Sequence, residues 1–166
     1  MSKNIIFIIG ASSDIGLDLI KNIDEEALIL AHYNNSNEKL LELSKTINNE
    51  LITIQSNLSK EVEIKKLIST IEENHGTPNK IIHLAAPKFE NIRFKDIAWD
   101  SFQNEIDISL KSIVLLLSSF LPKLAKQKKQ REKENRARKK QEEILQKQID
   151  EDERLEKIFN SFSESK

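Results

Sequence analysis

The chain has 166 residues, 38% hydrophobic and 32% charged, with a formal net charge of -1, a length that suits one ordinary domain better than two. It contains no cysteine, which excludes disulfides, thiolate metal sites and cysteine nucleophiles and accords with a cytoplasmic location. The near-neutral balance is a cancellation: residues 1–126 are apolar enough to fold around a core, whereas 127–157 are dominated by Lys, Arg, Glu and Gln, so net charge says little about partners.

Residues 5–9 form a continuous apolar run, as expected of a strand buried on both faces of a parallel sheet. The run is too short for a signal-peptide core. A polar loop over 10–14 precedes a helix expected over about 15–22. Residues 27–31 read as a second strand. Ser36 is placed to cap a helix running to about Asn48. Residues 51–54 read as a third strand. Val62, Ile64, Leu67, Ile68 and Ile71 have helical spacing, with Gly76 and Pro78 as stop signals. Residues 80–85 read as a fourth strand, and 94–97 lie in a short connection. A long helix is expected from about Trp99 towards Ala125, with Pro122 bending or breaking it. Its longest apolar run, 113–117, falls short of the ~20 residues of a membrane-spanning helix. The expectation is a soluble protein with no membrane partner.

Strand and helix alternate four times. This pattern predicts an α/β fold with a parallel sheet covered by helices and right-handed crossovers; a helical bundle is the competing reading, and four short apolar runs bounded by turn residues fit strands better. Residues 1–126 would form this region and 127–166 a charged helical tail.

The chain has three glycines, and two of them, Gly10 and Gly16, flank the loop between the first strand and the first helix. Glycine permits a tight turn and close ligand approach. The helix N-terminus adds unpaired N–H groups and a positive dipole end, which suit a pyrophosphate. A turn that needs glycine for purely structural reasons reads the same way. The spacing is not the G-x-G-x-x-G of the commonest dinucleotide fingerprint.

The segment Gly10-Ala-Ser-Ser-Asp-Ile-Gly16 resembles the T-G-x-x-x-G-x-G loop of short-chain dehydrogenases, with Ile9 in place of the Thr and Asp14 in place of the middle Gly. Asp14 could cap the helix. Asn57-Leu58 sits where that family has Asp-Leu or Asp-Val at the adenine, and Asn offers both a donor and an acceptor. His83-Leu84-Ala85-Ala86 sits where the family has Asn-Asn-Ala-Gly. The helix from Trp99 to Pro122 resembles the family's long helix after the fourth strand, whose catalytic Asn position is Ser109 here. The resemblance covers about residues 4–126. It implies a Rossmann-like three-layer half-domain with strand order 3-2-1-4. It also implies a dinucleotide held by Gly10, Ser12, Ser13, Asp14, Ile15 and Gly16 at the phosphates, Asn57 and Leu58 at adenine, and Ala85 near the nicotinamide ribose. Enzymes that prefer NAD often place an acid after the second strand. Residues 30–36 contain none, so NADP is the expected cofactor, with His32 either facing its 2′-phosphate or serving as a polar loop residue.

Family reductases transfer hydride with a Ser and a Tyr-x-x-x-Lys pair, the Tyr acting as general acid or base. No Tyr-x-x-x-Lys occurs in these residues, and the one tyrosine is Tyr33; the serines at 161, 163 and 165 have no tyrosine nearby. No catalytic or metal residues are assigned. The chain reads as truncated before that set and without hydride transfer of its own. The fourth strand would be an unprotected edge unless the tail covers it, and apolar residues of the long helix, including Ile113, Leu116 and Leu117, would be exposed, which predicts self-association or marginal stability.

Between Lys123 and Lys140 there are ten Lys or Arg and two Glu, and acids dominate from Glu142 to Lys157. Glu132/Arg136, Glu134/Arg138, Glu143/Lys147, Asp150/Arg154 and Glu153/Lys157 have i,i+4 spacing in the favourable order. A long solvated helix is expected. Ile144, Leu145, Ile149, Leu155, Ile158, Phe159 and Phe162 share one face, without the regular heptads of a coiled coil. Nucleic acid is a poor partner, because the basic stretch lacks stacking aromatics and acids follow it. The alternative to a cofactor-binding protein is a non-enzymatic scaffold whose charged helix engages a second copy or a partner protein. Deleting 127–166 separates the two, since only the scaffold reading loses partner binding with the core still folded.

Overall fold

A computed structural model describes residues 4–87 and 91–163, with side chains through residue 150. The elements run β1 (Ile5–Ile9), α1 (Asp14–Lys21), β2 (Leu28–Tyr33), α2 (Glu38–Leu43), β3 (Glu50–Gln55), α3 (Glu61–Asn74), β4 (Lys80–His83), a 3-10 turn (Phe94–Asp96), α4 (Trp99–Ile106), a π-helical turn (Asp107–Lys111) and α5 (Ser112–Ser163). The chain divides into two units, residues 1–124 and 125–166.

In the first unit four parallel strands lie in the order β3-β2-β1-β4. The alternation of side chains along a strand explains why β1 is apolar throughout. Ile5, Phe7 and Ile9 point to one face, where they join Leu28, Leu30, α3 residues such as Ile64 and Ile71, and Leu116 and Phe120 of α5. Ile6 and Ile8 point to the other, with Ile29, Ala31, Leu17 and Ile20 of α1, and Leu40 and Leu43 of α2. Three layers result, with β1 at the centre.

Two asparagines start the strand pairs. Asn79 Oδ1 accepts from Ile5 N at 2.7 Å, and Asn79 N donates to Ile5 O at 2.8 Å. Asn49 Oδ1 accepts from Ala27 N at 2.9 Å while its Nδ2 donates to Ile23 O at 3.1 Å. Each amide side chain satisfies backbone groups just where the ladder begins, as buried polar groups require.

Four expectations are corrected. The second helix ends at Leu43 rather than near Asn48, because the Ser44 and Thr46 hydroxyls donate back to Leu41 O and Leu43 O and so compete with helix propagation. Pro122 lies inside α5 and does not end it. The carbonyl deprived of a donor belongs to Ser118, which is exposed, so water can serve it. The irregularity comes earlier, in the π-helical turn at Asp107–Lys111. Leu116 is fully buried, and the exposed apolar side chains along this stretch are Leu110, Val114 and Leu121; the sheet receives Ser112, Leu116 and Phe120, spaced by four. Finally, the continuous helical run from Trp99 to Asp150 contains an 18-residue window with mean hydropathy 1.6, enough by length and composition alone to cross a membrane. Counting only contiguous apolar residues had missed it, and its buried members belong to the core of the sheet unit.

In the second unit the described part is helix. Three pairs of its polar side chains are local, Gln130 with Glu134, Gln146 with Asp150, and Arg138 with Glu142 at 3.4 Å. That last ion pair runs in the opposite order to the expected ones. The Arg154 and Lys157 pairs, and the apolar residues from Leu155 to Phe162, have side chains outside the described residues.

Candidate functional site: a cleft at the ends of the strands

The strand order reverses at β1. Two crossovers lead one way to β2 and β3, and the third returns to β4 on the other side. In open α/β sheets such a switch point leaves a crevice beyond the carboxyl ends of the strands.

The loop after β1 is closed by its own bonds. Gly10 has φ +78, and a Cβ placed on it would lie 2.7 Å from the Ala85 nitrogen, so both its conformation and the approach of the β4 loop demand glycine. Ser13 caps α1. Its hydroxyl donates to Gly10 O at 2.8 Å and accepts from Gly16 N at 3.1 Å. A Cβ on Gly16 would meet Ala11 O at 2.5 Å. The N–H groups of the first turn of α1 have no acceptor within the helix and carry the positive end of its dipole.

Asp14 is the first residue of α1, not its cap. Its carboxylate pairs with Lys39 at 2.9 Å, which holds it below the usual carboxylate range, and it is highly exposed. Ile15 is also exposed, and Gly16 is buried beneath the loop.

A cleft of about 400 Å³ opens here. Gly10, Ser12 and Ser13 line one part, His32 and Asn34 the end of β2, Asn57 and Leu58 the segment after β3, and residues 84–87 the segment after β4. Asn104 of α4 and Ile108 of the π turn complete the wall. Among the described residues, no lining side chain is a carboxylate, Lys or Arg. Of the expected site residues, Asp14, Ile15 and Gly16 do not line the cleft. Asn34, Asn104 and Ile108 line it without having been foreseen. The i,i+4 spacing of Asn104 and Ile108 was the available signal, since it sets both on one helix face. Ser109, the position matched to a catalytic Asn, is exposed and outside the lining.

Two expected roles change. Asn57 Oδ1 already accepts from Ser59 N at 3.0 Å and Ser59 Oγ at 2.8 Å, and its N donates to Glu63 at 2.7 Å. Its side chain therefore has donors to offer a ligand, and its acceptor is committed to the turn that starts α3. His32 is buried and hydrogen-bonded through both ring nitrogens to backbone, Nδ1 to Gly10 N at 3.1 Å and Nε2 to Ser56 O at 2.9 Å. It is neither a loop residue nor free to face a phosphate. Burial holds its pKa below the ordinary histidine value, against the pull of the Ser56 carbonyl and helped by His83.

A second histidine was named in the sequence only as part of the segment ending the fourth strand, with no role of its own. His83 ends β4, with Nε2 2.9 Å from Ser112 Oγ. The Ser112 hydroxyl donates to Ile108 O, so it receives a hydrogen from His83. An imidazole that donates to a serine cannot be its base, and this pair joins β4 to the first residue of α5, which in turn donates to the π turn. Burial also lowers the His83 pKa. No cluster of three or more His, Cys, Asp or Glu suited to a metal exists among the described residues.

The family model for short chain dehydrogenases matches residues 4–131. An NADPH-dependent pterin aldehyde reductase of Arabidopsis thaliana is 27% identical over 123 residues, covering 70% of this chain and 49% of that protein. A 3-oxoacyl-(acyl-carrier-protein) reductase of Staphylococcus epidermidis is 27% identical over 134 residues, covering 77% and 53%. Among solved structures, a short-chain dehydrogenase/reductase of Serratia marcescens superposes with a TM-score of 0.65 at 15% identity, covering 72% of this chain and 50% of that one, a likeness of fold. The chain thus spans about half the length of the curated relatives it matches. With the glycine loop, the strand order and the family match in agreement, the chain belongs to the short-chain dehydrogenase/reductase family of oxidoreductases.

Proposed function

We propose that this chain binds a nicotinamide dinucleotide in the cleft at the ends of β1 to β4, NADP in preference to NAD. The observation that carries the reading is the self-closed glycine loop at the switch point, with the N-terminus of α1 beside an uncharged polar lining. Gly10, Ser12 and Ser13 would hold the phosphates, Asn57 and Leu58 the adenine, and Ala85 with Ala86 would let the nicotinamide ribose approach. The NADP preference rests on residues 30–36 holding no acid and on the described lining holding no carboxylate, which removes the usual partner and repellent of the 2′ position. Asp14, turned onto Lys39, adds no repulsion inside the cleft.

Bound, the nicotinamide would supply hydride acceptance or donation. These residues hold no Tyr-x-x-x-Lys, and Tyr33 packs with the α1/α2 side of the sheet. We therefore assign them cofactor binding without hydride transfer. Exposed Trp99, Leu110, Val114 and Leu121 support association with a second copy or a partner protein, which sedimentation would detect.

Titration with NADPH and separately NADH, followed by nicotinamide fluorescence, tests the reading. Saturable binding that is tighter for NADPH and lost in Gly16→Val is the expected result. A folded protein that binds neither would overturn it.

A further inference from the structure

We propose that His32 is a positioning residue for the dinucleotide cleft, a neutral imidazole that must carry its proton on Nε2 for the cleft to keep its binding shape. The inference rests on the cofactor-binding reading above.

The backbone dictates the tautomer. Gly10 N can only donate and Ser56 O can only accept. With Nδ1 3.1 Å from the first and Nε2 2.9 Å from the second, Nδ1 is bare and Nε2 bears hydrogen. An imidazolium would turn N–H against N–H at Gly10 and break that bond. The same residue holds the loop a second time, because Ala11 N donates to His32 O at 2.9 Å. One step on, Ser56 N donates to Tyr33 O at 3.1 Å.

The consequence is geometric. Gly10, Ser12 and Ser13 lie on one side of the ring, and Asn57 and Leu58 follow Ser56 on the other. A single buried side chain therefore spans the ends of three strands and sets the separation of the phosphate and adenine parts of the cleft. Among the described residues, the groups that could bias its charge are as follows. His83 on β4 acts against protonation. Asp14 in the glycine-loop segment is paired with Lys39. Glu63 of α3 is bonded to Asn57 N and paired with Lys60. The parts of β1 and β3 nearest the ring, Ile9 with Gly10 and Gln55 with Ser56, contribute no titratable side chain.

Glutamine is the informative replacement. Its carbonyl can accept from Gly10 N and its amide donate to Ser56 O, with nothing to titrate. The test combines nitrogen-15 NMR of the labelled histidines in the cofactor-free protein with NADH and NADPH titrations from about pH 5 to pH 8, the range in which imidazole changes charge. Folding of each variant is checked by circular dichroism. The expected NMR result is a neutral Nε2–H ring for His32. Expected affinity for NADH falls on acidification with the midpoint seen for that ring. His32→Gln should keep affinity within a few-fold and flatten the profile, and His32→Leu should weaken binding about tenfold or more, as two backbone groups lose partners.

An Nδ1–H or doubly protonated ring near neutral pH overturns the proposal. So does NADPH affinity that rises on acidification while NADH affinity does not, the signature of a cation on the 2′-phosphate. Binding whose pH profile is the same in wild type and His32→Gln overturns the positioning role alone and leaves the cofactor reading intact. No binding by folded wild-type protein overturns both.

Discussion

In residues 4–124 several polar side chains reach across the chain, whereas in 125–150 the pairs Gln130–Glu134, Arg138–Glu142 and Gln146–Asp150 each span one helical turn. Asn79 serves Ile5, 74 residues away, and His32 ties Gly10 to Ser56; Gln130, Arg138 and Gln146 each pair four residues on. The first pattern makes stability cooperative, because each bond closes a long loop whose entropy has already been lost. The second makes it a sum of small local terms. Substitutions in the two regions should therefore differ in size and in kind.

The largest expected effect is Phe120→Ala. Phe120 is fully buried and meets Phe7 edge-on with ring centroids 6.3 Å apart. Its loss should cost about 3–5 kcal/mol in urea denaturation, and a shift of less than about 1 kcal/mol would break the claim that the first turns of α5, through Phe120, belong to the cooperative core. Gly10→Ala comes next, at about 2–3 kcal/mol for a strained left-handed residue, together with loss of dinucleotide binding. Retained binding at unchanged stability would show that the β4 loop yields to the added carbon.

Stability should also depend on pH through His32 and His83. Both have folded pKa values depressed below the ordinary 6.5, so the unfolded chain binds more protons between the two values and stability rises with pH there. Their full contribution is present above about pH 6.5, the unfolded value. It declines as pH falls below that, and levels off once the folded values are passed. Urea midpoints of His32→Gln should show a shallower decline; an unchanged slope would remove His32 from the account. In the charged helix, Ala137→Gly should cost about 1 kcal/mol of local helix propensity, read as reduced helical ellipticity with dinucleotide affinity unaltered. Smallest of all is Lys39→Ala. Its pair with Asp14 is exposed, and the urea midpoint should not move measurably.

The four strands were legible because each carries a short run rich in apolar residues, and β1 most of all, since it is apolar throughout and both its faces are buried. The glycine loop was legible because glycine is so rare in this chain. What escaped the sequence was everything decided by a distant partner. Nothing near His32 announces that Gly10 and Ser56 will claim its two nitrogens. Asn49 and Asn79 look like loop residues until the strands they start are in place. Asp14 looked like a cap because the competing cap, Ser13, stands immediately before it. Leu116 looked exposed because the family elements expected after residue 126 are not seen in the sequence, whereas the helix that follows the π turn sets it into the sheet's own core.

That turn has a reach beyond its five residues. A π turn carries an extra residue relative to an α-helical turn, so it advances the sequence by about 100° around the axis without advancing the helix itself. The apolar stripe before Asp107, with Trp99 and Phe102, and the one after Lys111, with Leu116 and Phe120, therefore run on different phases. An amphipathic plot drawn through both would blur two faces into one. Deleting a single residue within 107–111 should restore plain α-helix while turning everything upstream by one position, so that Asn104 would leave the cleft with its own sequence neighbours unchanged.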